Sequence, residues 1–355
     1  MERLSAGVNG GEDGGQRPSA FELDILGQSA ALRRFLQSPR PDSLTSKPVD
    51  RFDRVLVTGM GASHFAGLRT WRRLVAAGLP AWWIDTAELV GSLELVTPST
   101  LLIVTSQSGA SGEIVALLDA LRDRRIQTET IAITNAEESA LARTADVTLL
   151  LHSGPEATVS TKTYINSLAA HEHMTACLLD RDRSRLSDEL RRGVQALDRP
   201  DKVPQEVAVA TVAAEVPRIA LVGDGDHAAT ALFGALIIKE GAKLPAEGFL
   251  AGNFRHGPLE LAGPGLTALF CGVRGGEDGE PFRRLASEVA DTDSRTLTLG
   301  SAVVAGCEPI AGDLADGFPG LALGALVCQR FTVDLARALG IEPGAFRYGQ
   351  KVTLL

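Results

Sequence analysis

Three serines, a glutamine and two glycines crowd into Ser106-Gln107-Ser108-Gly109-Ala110-Ser111-Gly112, between the apolar run Leu101-Leu102-Ile103-Val104 and the helical pattern Ile114-Val115-Ala116-Leu117-Leu118. A buried strand that enters such a loop and leaves it as a helix aims hydroxyls and unpaired backbone N–H groups at one point. Helix N-termini carry the positive end of the macrodipole, so the ligand expected there is an anion, best a phosphate. A second turn, Gly59-Met60-Gly61-Ala62-Ser63-His64, follows the apolar run Arg54–Thr58 and brings Ser63 to a neighbouring strand end. Its sixth position is His64 rather than Gly or Ala, and no Gly-Lys-Ser/Thr run exists, so neither a dinucleotide fingerprint nor a nucleotide P-loop is met. Val159-Ser160-Thr161-Lys162 reads either as a helix cap with an exposed lysine or as further hydroxyls reaching the same pocket. His171-Glu172-His173 places its imidazoles on different faces of a helix, which suits a structural role better than a metal site. Lys239, Glu240 and Lys243 close an otherwise apolar helix, by default a solvated end. His256 stands before Gly257-Pro258, and a proline in the first turn of a helix would leave that histidine neutral at the helix N-terminus. A carboxylate and a neutral histidine beside a phosphate pocket suit proton transfer on a sugar phosphate.

The elements that must position these groups alternate along the chain. Strands are expected at Arg54–Thr58, Ala81–Ile84, Leu101–Thr105, Thr128–Thr134 and Val147–Leu151, with helices at Phe65–Ala76 and Ile114–Leu121 between them. This is the pattern of a parallel sheet covered on both faces. The theme returns with strand Arg218–Val222, turn Gly223-Asp224-Gly225-Asp226, helix His227–Lys243, strands at Leu266–Cys271 and Arg295–Leu299, and a last helix at Leu321–Leu339. Duplicated α/β domains follow, each a doubly wound parallel sheet flanked by helices. The boundaries read as a flexible N-terminal tail over 1–18, a first domain over 19–198, a second over 199–340 and a C-terminal tail over 341–355. The chain of 355 residues has a net charge of -9, which disfavours a nucleic-acid partner. Its four cysteines lack the paired spacing of a zinc site or disulfide framework and fit a reducing cytoplasm. Met1-Glu2-Arg3-Leu4 does not begin a signal peptide, and no apolar run reaches the roughly 18 residues of a membrane span. A cytoplasmic protein is expected.

Taken together, the ordered motifs resemble the sugar isomerase (SIS) domain family, and within it the isomerase half of glucosamine-6-phosphate synthase (glutamine–fructose-6-phosphate aminotransferase), a tandem pair of such domains. The resemblance covers residues 20 to 355 and rests on Gly61-Ala62-Ser63, Ser106-Gln107-Ser108-Gly109, Val159-Ser160-Thr161-Lys162, Lys239-Glu240, His256-Gly257-Pro258-Leu259 and Arg347-x-x-x-Lys351. It implies that Ser63, Ser106, Gln107, Ser108 and Ser111 hold the sugar phosphate, with Ser160 and Thr161 near the sugar. It further implies that Glu240 shuttles a proton between C1 and C2, that His256 of a neighbouring subunit opens the ring, and that Lys351 forms a Schiff base with the open-chain ketose. The active site would then need a homodimer, and no metal or other cofactor. The departures are as informative. A family lysine one turn before the glutamate is Ile237, the first loop's threonine is Ala62, the glutamate after the serine-loop glycine is Ala110, and the tail has Phe346-Arg347 where Pro-Arg is usual. No cysteine nucleophile follows Met1, so glutaminase activity is not expected. The resulting expectation is a phosphosugar isomerase or aminosugar-phosphate deaminase/isomerase acting on a hexose or hexosamine 6-phosphate. The alternatives are a non-catalytic sugar-phosphate sensor, or a synthase subunit that draws ammonia from a separate glutaminase.

Overall fold

A computed structural model describes residues 17–44, 49–180, 182–311 and 317–351; most of the expected N-terminal tail and the last four residues of the C-terminal tail lie outside the described residues. The first sheet contains β1 (Arg54–Gly59), β2 (Ala81–Trp83), β3 (Thr100–Thr105), β4 (Glu129–Thr134) and β5 (Val147–Leu150). All its pairings are parallel, in the order β2-β1-β3-β4-β5. Strand β3 is buried at every position, as its unbroken apolar run demands of a strand covered on both faces. The second sheet contains β6 (Arg218–Gly223), β7 (Ala246–Leu250), β8 (Leu266–Val273), β9 (Arg295–Gly300) and β10 (Glu308–Ala311), again parallel, in the order β10-β9-β8-β6-β7. Counted within each half, both sheets run second, first, third, fourth, fifth. The strand order therefore reverses between β1 and β3 in one half and between β6 and β8 in the other, where open α/β sheets leave a crevice beyond their carboxyl ends.

Three largely buried helices, Lys162–Leu178, Ala228–Ala242 and Phe318–Ala338, contribute to one continuous core that joins Ile131 and Leu168 of the first half to Phe233, Leu269 and Leu326 of the second. Tyr164 stacks on Phe233 with centroids 3.7 Å apart, which fixes the helix Ala228–Ala242 against the first half. The helix expected over Phe65–Ala76 is two, Gly61–Ala66 and Leu68–Ala76. Strands β7 and β10 were not expected from sequence. They are the edges of the second sheet, where half-exposed residues, Gly248 and Pro309 break the apolar run that marks a central strand. Pro258 opens a four-residue 3₁₀ turn, Pro258–Leu261, instead of an α-helix, so the helix N-terminus expected beside His256 is not formed.

Candidate functional site

The crevice between β1 and β3 opens into a cavity of about 690 Å³, lined by Met60–Ser63, Thr105–Ser108, Ser111, Thr158–Ser160, the last turns of the helix Ala228–Ala242, and the tail 346–351. Gly59 and Thr105 pair at the ends of β1 and β3, so the two turns that leave them start side by side. The serine loop closes on itself in a way that leaves donors free. Gly109 N–H donates to the Ser106 hydroxyl at 3.1 Å and Ala110 N–H to the Ser108 hydroxyl at 3.3 Å, so both oxygens accept and their hydrogens stay available. Ser111 occupies the N-cap of the helix Gly112–Asp123, yet its hydroxyl makes no capping bond. Gly109 sits at φ +60°, and a Cβ there would lie 2.2 Å from the Ser139 hydroxyl, so the loop's path requires glycine.

From the opposite side, Leu236, Lys239, Glu240 and Lys243 line the cavity from a single helix face. Their spacing of three and four residues is one stripe of an α-helix. Leu236 lies against the Gly61 turn, 3.5 Å from the position of an added Cβ. Burial raises the Glu240 carboxyl above the usual range, against the opposing pull of Lys351, Lys243 and Lys239. Such a group accepts a proton more readily than a solvated glutamate. Lys243 caps the helix in the left-handed conformation, and its ammonium donates to the Glu240 carbonyl. Lys351 reaches the wall from the tail and donates to Glu156 Oε2 at 2.6 Å and to the Thr158 carbonyl at 2.5 Å.

Glu156 is the residue that sequence reasoning passed over. Its side chain is wholly buried, and it accepts from Thr161 N, Thr161 Oγ1 and Thr163 N at 2.8, 2.8 and 3.0 Å and from Thr163 Oγ1 at 2.6 Å. Burial alone would raise this carboxyl, but Lys351 and the Thr163 hydrogen bonds outweigh it and hold the group below the usual carboxylate range. No signal in the sequence marks it, since its partners are drawn together by the loop and by a tail 195 residues away.

The structure thus gathers Ser63, Ser106, Gln107, Ser108, Ser111, Ser160, Glu240 and Lys351 around one cavity. Thr161 is not among the lining residues: it is fully buried with its hydroxyl on Glu156, so its expected place beside a sugar is corrected to a structural one. His256 is exposed and lies outside the cavity wall of its own chain. Lys162 is no exposed cap lysine, because it pairs with Asp24 at 2.6 Å. Ile237 is fully buried in the core rather than on the cavity face. His171 bridges Thr70 and Thr105 at 3.0 and 2.9 Å, and burial pushes it down to about 3. Among the described residues no group of His, Cys, Asp and Glu is arranged to hold a metal ion, and no helix is long and apolar enough to cross a membrane.

Comparison with known proteins bears on the fold and the family. Glutamine–fructose-6-phosphate aminotransferase (isomerizing) of Pyrococcus horikoshii is 29% identical over 84% of this chain, and the match covers 50% of that protein, so the chain spans about half the length of this curated relative. The C-terminal domain of glucosamine-fructose-6-phosphate aminotransferase from Francisella tularensis superposes with a TM-score of 0.79 at 19% identity, covering 94% of this chain and 99% of that one. Tagatose-6-phosphate ketose/aldose isomerase from Escherichia coli superposes with a TM-score of 0.76 at 21% identity, covering 94% and 97%. At such identities the superpositions establish a shared fold. The SIS domain family matches residues 51–176 and 214–289, more than half of the sequence, and the protein belongs to that family.

Proposed function

We propose that this chain is a phosphosugar isomerase or aminosugar-phosphate deaminase/isomerase acting on a hexose or hexosamine 6-phosphate. The observation that carries the reading is that free serine hydroxyls at a helix N-terminus and a carboxyl raised by burial line the same cavity. The serine loop with Ser63 binds the phosphate, and Ser160 lies beside the sugar. Lys351 captures the ketose carbonyl or orders the enediol(amine), and Glu240 carries the proton between the two carbons. Ring opening falls to His256 of a second copy in a homodimer, since this side chain lies outside the cavity of its own chain. A positioned acid–base group supplies about 10² to 10⁴-fold, so Glu240→Gln should lose at least about 10²-fold in turnover while still binding fructose 6-phosphate. Unchanged turnover removes Glu240 from the reaction.

A sugar-phosphate sensor is the second reading, favoured by Ile237, which stands buried in the core where the family resemblance implies a lysine, so that no such lysine reaches the site. Borohydride reduction with fructose 6-phosphate, followed by mass spectrometry of the tail peptide, separates the two. A covalent adduct on Lys351 supports the enzyme, and tight binding without adduct or turnover supports the sensor.

A further inference from the structure

Lys351 lies within the influence of two carboxylates that their surroundings treat in opposite ways. Glu156 touches it and is held as an anion, whereas Glu240 acts on it from across the cavity and is pushed toward its neutral form. When environments drive two carboxyl groups apart, their roles divide: the one that titrates easily moves protons, and the one that does not supplies fixed charge. We infer that Glu156 is a positioning residue of the proposed reaction, anchoring the Lys351 ammonium and with it the cavity-lining tail 346–351.

The inference rests on the function proposed above, because an anchored lysine matters most if its nitrogen reacts. For that reaction Lys351 gives up its ammonium proton to a base, its lone pair forms a bond to the ketose carbonyl carbon, and its two remaining N–H protons pass to the carbonyl oxygen as the C–O bond breaks, so that the oxygen leaves as water and a neutral imine remains. Glu156 is a poor recipient for the proton, since the carboxyl stays ionised; Glu240 is the better one. Glu156 also accepts from Thr161 and Thr163 at the start of the helix Lys162–Leu178, and helix capping alone would account for those bonds. It does not account for Oε2 also meeting a lysine from the far end of the chain. No other ion pair among the described residues holds the segment 346–351, so its polar anchor is this contact together with the Thr158 carbonyl, beside the packing of Phe346 on the core.

The test compares Glu156→Gln, Lys351→Met and Thr163→Val in the full chain. Trypsin cleavage after Arg347 should quicken at least tenfold in Glu156→Gln and in Lys351→Met, because each removes the ion pair, and should quicken less in Thr163→Val, which takes one hydrogen bond from Glu156 but leaves its charge and its contact with Lys351. Misplacing a reacting group by about 1 Å costs on the order of 10²-fold, so kcat of Glu156→Gln should fall by about that factor with KM within threefold of wild type. Unchanged cleavage in both anchor variants overturns the inference whatever the turnover. Faster cleavage with wild-type kcat overturns the positioning role. A wild-type protein inert toward every hexose and hexosamine 6-phosphate defeats the isomerase reading instead, and the cleavage rates then still decide whether Glu156 holds the tail.

Discussion

Glu240 and Glu156 are a pair of opposite-signed experiments on how a site trades stability for chemistry. The Glu240 carboxyl is raised in the folded protein, so it favours folding while protonated, and that contribution fades as pH rises through the raised value. Above the ordinary glutamate range, holding this half-buried carboxyl in the fold costs stability that the unfolded chain does not lose. Glu240→Gln should therefore raise the melting temperature near pH 7, with the gain vanishing below the ordinary glutamate range, while turnover collapses. Equal melting temperatures at both pH values would mean that this carboxyl is not strained by burial. Glu156 has the contrary sign: lowered in the folded state, it stabilises above the ordinary range and loses that contribution as pH falls through its depressed value. Glu156→Gln should melt earlier at neutral pH, and the deficit should shrink toward the acid limit. The charges that end this apolar helix read by default as a solvated end, and only the family resemblance pointed to Glu240. Glu156 was not legible, since burial and the approach of Lys351 are products of the folded chain. Thr161 was misread for a related reason, as a hydroxyl in a Ser-Thr-Lys run does not declare which way it faces.

At the scale of the element, the helix Ala228–Ala242 shows why a residue's neighbour in sequence is a poor guide to its face. Leu236, Lys239, Glu240 and Lys243 look into the cavity, while Ile237, one step of about 100° away, is fully buried in the core. Restoring a lysine there should not restore nitrogen chemistry. Ile237→Lys buries an ammonium without a partner, and the expected result is a marked fall in melting temperature with no gain in deaminase or aminotransferase turnover. A stable variant with new activity would show that this face turns toward the cavity. The serine loop makes the complementary case. Gly109→Ala forces a side chain into both a positive φ and the Ser139 hydroxyl, and affinity for fructose 6-phosphate should drop at least tenfold by calorimetry. Central strands were readable from unbroken apolar runs, as were the duplicated turns. The edges β7 and β10 were not, because an edge strand is half exposed and tolerates the Gly248 and Pro309 that interrupt its pattern.

Across the whole molecule, the same topology is used twice but only one crevice is fitted for an anion. Where the first half places Ser63 and the serine loop, the second places Asp224 and Asp226 after β6 and Arg274 after β8. Asp224 pairs with Arg274 at 3.0 Å, so that the second crevice presents carboxylates already engaged. Calorimetric titration with fructose 6-phosphate should accordingly saturate at one molecule per chain, and two would refute this division of labour. Asp226 has instead been recruited to the contact between the halves: Arg69, 6% exposed, meets it at 2.6 Å and also meets Glu172 and Glu189. Removing one partner from a buried ionic cluster strands the others, which typically costs ~3–5 kcal/mol. Arg73 still neutralises Glu172, at 2.5 Å, and Arg72 approaches Asp226 at 3.6 Å, so Arg69→Met should fall near the lower end of that range. Because the core runs unbroken from one sheet to the other, the loss should shift a single unfolding transition to lower denaturant rather than split it. Two separated transitions in the variant would show that Arg69, more than the shared core, makes the two halves fold as one.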